Sequence, residues 1–233
     1  MKDLEKREPE IAKKVREISK CPGGEFFDLK NFFQEKHDDG YSVGFNGTNS
    51  RIDIDKDGVI HAKSGGIEND NVNQLNEFIN CIAQLPNRKI IVNDTVEYCT
   101  DSEGRVIEAT ANRTAMKNST KKINSTRDSN TQKRVKIDLN GNKLEDYDAG
   151  HIFSNSTNGC NNTINQVPMP SKYNKGGKWR QLENIEENWL NEGKHLVTKR
   201  QIIYKEPGSK VVKSIITTNI VDGKPMTEII VNF

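Results

Sequence analysis

Asp148-Ala149-Gly150-His151, Asn165-Gln166-Val167-Pro168 and Asn174-Lys175-Gly176-Gly177-Lys178-Trp179-Arg180-Gln181-Leu182-Glu183 follow one another in a single stretch of this chain. The stretch reads as a strand, a break at the paired glycines, and a helix. Trp179, Leu182, Ile185 and Trp189 recur at three, three and four residues, an apolar stripe that would lay this helix over a sheet. Its polar residues suit one kind of chemistry. His151 can act as a general base near neutral pH, the amide and carboxylate oxygens suit a hard cation such as Mg²⁺ or Mn²⁺, and the interspersed lysines and arginine suit phosphate. Hydrolysis of a phosphodiester uses all three. Each residue alone has a plainer reading: a histidine after a glycine is usually structural, an asparagine caps or turns, and a glutamate on an amphipathic helix ordinarily lies on its wet face. It is the ordered combination that points to a site.

Outward from this stretch the pattern is mostly β. Residues 89–92, 96–99, 105–108 and 135–139 alternate as strands, and 196–204, 211–220 and 226–233 read as a three-stranded meander with turns at Pro207-Gly208-Ser209 and Asp222-Gly223. Towards the amino terminus, residues 4–19 and 26–35 read as helices separated by Cys21-Pro22-Gly23-Gly24. Short strands follow at 41–45, 52–54 and 59–62, and residues 71–85 carry apolar side chains at helical spacing. The expected class is α+β, a mostly antiparallel sheet with the site where a strand meets a helix, preceded by a mixed helical and β region. The expected division is residues 1–86, of unknown role, and residues 87–233, carrying the chemistry.

Composition narrows the field. The 233 residues are 33% hydrophobic and 29% charged, and the mean hydropathy is -0.80. No segment is apolar enough to span a bilayer, and the opening Met1-Lys2-Asp3-Leu4-Glu5-Lys6-Arg7-Glu8 lacks the apolar core of a Sec signal. The expectation is a cytoplasmic chain, or one exported without a cleaved signal, and it allows for a piece of a longer protein. Cys21, Cys81, Cys99 and Cys160 form no CxxC pair, which excludes a zinc knuckle and a redox dithiol. The net charge of +2 conceals a basic segment with Arg113, Lys117, Lys121, Lys122, Arg127, Lys133, Arg134 and Lys136 against Asp128 alone, a segment suited to a polyanion or to plain solubility.

The motifs Asp148-x-Gly150-His151, Asn165-x-x-Pro168 and Asn174-x-Gly176-Gly177-x-Trp179-x-x-Leu182-Glu183 resemble those of the DNA/RNA non-specific endonuclease family of ββα-metal nucleases. With Thr100-Asp101-x-x-Gly104-Arg105-Val106 upstream, the pattern most resembles the carboxy-terminal nuclease domains of bacterial secreted polymorphic toxins, over residues 94–233. The resemblance implies His151 as general base, Asn174 as direct ligand of one Mg²⁺ or Mn²⁺, and Glu183 acting on that ion through water. It further implies that Asp148 and Asn165 position the histidine and the substrate strand, with Lys175, Lys178 or Arg180 at flanking phosphates. Where many members of the wider family carry arginine this chain has Ala149, so that phosphate contact is either absent or supplied from elsewhere, with Arg105, Arg113, Arg127 and Arg134 as candidates. Implied partners are DNA or RNA and an acidic immunity protein. The alternative is a nucleic-acid- or partner-binding module whose site has decayed. Helical phase adds a condition: at about 100° per residue, Asn174 and Glu183 lie on opposite faces of one regular helix, so a shared ion requires Gly176-Gly177 to break it.

Overall fold

A computed structural model of the chain describes residues 2–18, 32–45, 51–62, 80, 85–114, 129–138, 141–157 and 159–233. They form two compact units, Met1–Arg105 and Val106–Phe233.

The first unit opens with α1 (Lys2–Arg7) and α2 (Pro9–Ile18) rather than the single helix expected over 4–19. Pro9 lacks an amide hydrogen and restricts Glu8 before it, so the chain breaks at Glu8 and Pro9 starts the second helix. Strands β1 (Phe32–His37), β2 (Gly40–Phe45), β3 (Arg51–Asp55), β4 (Ile60–Ala62), β5 (Lys89–Val92) and β6 (Val96–Thr100) pair in that order, antiparallel except for the parallel pair β4 and β5. The helix expected over 26–35 is overturned at residues 32–35, which belong to β1; residues 26–31 lie outside the described residues. Non-local pairing decides it. His37 pairs with Gly40 across a two-residue turn, and the positive φ of 155° at Gly40 is open to glycine alone. Of the helix expected over 71–85, only Asn80, which is helical, and Leu85, which is not, are described.

In the second unit the elements are β7 (Val106–Arg113), α3 (Ser129–Val135), β8 (Tyr147–His151), β9 (Gln166–Pro170), α4 (Ser171–Lys175), α5 (Lys178–Asn191), β10 (Leu196–Tyr204), β11 (Val212–Val221), β12 (Lys224–Pro225) and β13 (Ile229–Asn232). β7, β10, β11 and β13 form an antiparallel sheet, β12 pairs with the end of β11, and β8 and β9 form a separate antiparallel ribbon. The class is α+β with a mostly antiparallel sheet, as expected. The strand expected over 135–139 is overturned at residues 135–138, where Val135 ends α3 and an isolated bridge joins Ile137 to Lys143; residue 139 lies outside the described residues. The Asp138 carboxylate competes with strand pairing there by accepting from the backbone N and Nδ2 of Asn142, at 2.8 and 3.1 Å.

The stripe of α5 also differs from the apolar repeat. Trp179, Leu182, Glu183, Glu186 and Leu190 are buried, whereas Ile185 is 43% exposed. At about 100° per residue those five side chains fall within roughly 100° of arc, and Ile185 falls outside it. The stripe therefore carries two carboxylates into the interior. Glu186 lies between two buried arginines: Arg200 Nη2 donates to its Oε1 at 2.6 Å and Arg113 Nη2 to its Oε2 at 3.1 Å. Arg113 also donates to Thr157 Oγ1 at 2.7 Å and Thr198 Oγ1 at 2.6 Å, and the Arg200 guanidinium stacks over the rings of Phe153 and Trp179 at 4.7 and 4.6 Å. Pairing and stacking of this kind are what make buried charge tolerable.

Candidate active site

His151 is the last residue of β8 and pairs with Gln166, the first of β9. The connection between them folds tightly around Asn165. Its fully buried side chain accepts from Phe153 N at 2.9 Å and donates to Phe153 O at 2.8 Å and Cys160 O at 2.7 Å. Gly159 sits so close to the Phe153 carbonyl that a Cβ there would collide with it, and would also come within 2.8 Å of Asn165 Nδ2. Asn165 therefore acts on the backbone two residues after His151, not on the imidazole. The ring itself meets Asn161, whose Oδ1 is 3.0 Å from His151 Nε2.

Asp148 and His151 are three positions apart on β8, so strand alternation points them to opposite faces of the ribbon. Asp148 turns instead to Lys175, whose Nζ is 3.3 Å from Asp148 Oδ2, an ion pair that ties the ribbon to α4. The helical break that phase demands is present. α4 ends at Lys175, Gly176 and Gly177 lie between the helices, and α5 restarts at Lys178 with Gly177 O accepting from Gln181 N at 3.1 Å. A Cβ on Gly177 would lie 2.9 Å from Lys172 O and Tyr173 Cα, so the chain reverses in a space only glycine fits. Asn174, half-buried, and Glu183, 5% exposed, thus belong to two helices with independent phases. The new helix is anchored to the ribbon where it matters: Trp179 Nε1 donates to His151 O at 3.1 Å.

Glu183 lies on the buried side of α5 and not on its wet face. Burial holds its carboxyl above the usual glutamate range, with Arg180, 3.1 Å from Oε2, and Arg200 pulling it back. The native state then takes up this proton more readily than the unfolded chain does. Its contribution to stability falls as pH rises from the ordinary glutamate value through the raised one. Thermal unfolding in EDTA should therefore show Glu183→Gln gaining on the wild type as pH climbs through that window; a difference independent of pH would contradict the raised value.

Of the other expected phosphate ligands, Lys178 is exposed at the start of α5 and Arg180 is committed to Glu183. Arg134 is half-buried in α3, which packs on β8 and β9. Arg105 belongs to the first unit, where Asp101 and Glu103 hold its guanidinium at 2.7 and 2.9 Å. Arg113 is 4% exposed and locked into the buried network, which rules out a phosphate contact from solvent. Arg127 and most of the basic segment lie outside the described residues.

The donor set fits a hard divalent cation. Asn174 and Glu183 offer only oxygens, and Glu183 is a desolvated carboxylate that a cation would relieve. Among the described residues no three His, Cys, Asp or Glu side chains converge. No helix among the described residues is long and apolar enough to cross a membrane.

Among solved structures, the chain is similar to NucA from Streptococcus agalactiae with no metal bound, at 12% identity and a TM-score of 0.42 over 87% of this chain and 82% of that one. It is also similar to the same nuclease with a magnesium ion bound, at 10% identity and a TM-score of 0.40 over 87% and 83%. No curated protein matches. The profile of the DNA/RNA non-specific endonuclease family matches residues 86–222, more than half of the chain and all of the ribbon, the glycine break and α5. The chain belongs to the DNA/RNA non-specific endonuclease family and is a nuclease.

Proposed function

We propose that the chain is a metal-dependent endonuclease that cuts DNA and RNA with His151 as general base, and that it serves a bacterium as an antagonistic toxin domain. The observation carrying this reading is the joint between ribbon and helix: Trp179 holds the His151 carbonyl from the first turn of the helix that bears Glu183. His151 takes the proton from the water that attacks phosphorus, a task suited to an imidazole. Asn174 and Glu183 would hold Mg²⁺ or Mn²⁺, Asn174 directly and Glu183 through water. When bound, that ion supplies positive charge against the phosphate oxygens and the departing 3′ oxygen. Lys175 and Lys178 lie exposed on either side of the glycine break, Lys175 ending α4 and Lys178 starting α5, to meet flanking phosphates, and Asp148 keeps Lys175 beside the ribbon. Contacts of this kind read the backbone and not base edges, so cleavage of either nucleic acid should show no base preference.

A toxin of this class requires an inhibitor in the producing cell, and an acidic immunity protein that covers Lys175, Lys178 and the site beside them would serve. Purified protein should cleave plasmid DNA and total RNA in Mg²⁺ and cease to do so in excess EDTA. No cleavage across several divalent ions would overturn the proposal.

A further inference from the structure

The family reading leaves unexplained what holds the imidazole of His151. The connection from β8 to β9 is built around that question. Ile152 N donates to Asn165 O at 2.7 Å, Asn165 pins both Phe153 and Cys160 through its side chain, and Gly159 N donates to Ser154 O at 2.9 Å. Gln166, directly across the ribbon from His151, reaches back with Nε2 to Asn161 O at 2.8 Å. The backbone at Asn161 is therefore held by the side chain after it and by the carbonyl clamp on the residue before it. That leaves the Asn161 amide facing the ring, with Oδ1 at 3.0 Å from His151 Nε2.

An amide oxygen only accepts hydrogen bonds, so the nitrogen it faces must carry the hydrogen. In a neutral imidazole with hydrogen on Nε2, the basic lone pair is on Nδ1. We propose that Asn161 is the positioning residue of the catalytic histidine: its Oδ1 fixes the Nε2–H tautomer and the rotation of the ring, and so makes Nδ1 the nitrogen that takes the proton from water. The second half rests on His151 being the general base; the tautomer does not. The hydrogen bond is neutral, so it orients the ring without committing it to the imidazolium form, which could not accept a proton.

The test begins with the wild-type protein in EDTA, labelled with ¹⁵N-histidine, at a pH where the rings are neutral. Long-range ¹H–¹⁵N correlation separates protonated from bare ring nitrogens, and loss of one of the four histidine patterns in His151→Gln assigns the signal. The expected pattern has hydrogen on Nε2 of His151. Asn161→Leu should mix the tautomers and lower kcat by about tenfold to a hundredfold, a part of what a positioned base contributes, with little change in KM. Asn161→Asp keeps an acceptor and should restore the Nε2–H pattern. Hydrogen on Nδ1 in the wild type, or an Asn161→Leu protein with unchanged tautomer and unchanged kcat, overturns the proposal. If Asn161→Leu does not fold, the wild-type and Asn161→Asp spectra still decide it. Full cleavage by His151→Ala alongside an Nε2–H spectrum would instead remove the general base and leave the positioning contact standing.

Discussion

His151→Ala should lower the rate of nucleic-acid cleavage by about 10³-fold, within the range a positioned general base supplies, and leave the fold in place. The substitution deletes an imidazole that is half-buried and hydrogen-bonded to Asn161, while the His151 carbonyl that receives Trp179 remains. Loss of the neutral hydrogen bond to Asn161 costs stability about 1 kcal/mol, too little to unfold a domain of ordinary stability. Activity and stability should therefore separate. Initial rates on supercoiled plasmid, with urea unfolding of the same preparation, measure both. A variant that cleaves within tenfold of the wild type would remove His151 from the chemistry. In a host without the inhibitor, the wild-type chain should arrest growth and this variant should not.

Glu186→Leu should do the reverse, destabilising the protein by about 3–5 kcal/mol through the loss of one partner from a buried ion cluster. Two arginines depend on this carboxylate, and both are sealed from water: Arg200 at 0% and Arg113 at 4% exposure. Nε and Nη1 of Arg200 have no hydrogen-bond partner among the described residues; the faces of Phe153 and Trp179 stand against that guanidinium instead. Without Glu186 its charge would be left to aromatic faces and to Glu183. A loss of this size is about a fifth or more of the stability of a typical domain. The cost belongs to the unpaired charge and not to the missing attraction. A triple change, Arg113→Met with Glu186→Leu and Arg200→Met, should therefore be less damaging than Glu186→Leu alone. Urea midpoints for the two proteins check this, and a triple variant less stable than the single one would show that the cluster itself stabilises the fold.

How much of this was legible beforehand depends on which forces are local. The motif order, the glycine break and the meander strands could be read because turn chemistry and period-two alternation act over a few residues, as at Asp222-Gly223, where both residues take positive φ. Residues 32–35 were misread as helix because their partner, β2, lies beyond a turn whose pairing no helical periodicity reveals. Strand 135–139 failed for the converse reason: Asp138 offered its backbone neighbours a loop. Within the site, Glu186 and Arg200 were missed because the apolar repeat on α5 was traced through Ile185 and Trp189. The signal lay in the alternation Leu196, Thr198, Arg200, Ile202 on β10, which puts an arginine between inward apolar positions, and in Glu186 seven residues after Trp179. Asn161 had no signal of its own, since its contact with His151 depends on a loop closed by Asn165, Gly159 and Gln166.

In the mechanism we propose, cation binding and proton transfer belong to different residues of one ribbon-and-helix unit. Titration of Mn²⁺ into purified wild type, His151→Ala and Asn174→Ala, followed by the electron paramagnetic resonance of the free ion, tests it most directly. His151→Ala should bind the ion as tightly as the wild type yet not cleave, while Asn174→Ala should lose both binding and cleavage. Wild-type affinity in Asn174→Ala, or loss of the ion in His151→Ala, would contradict it.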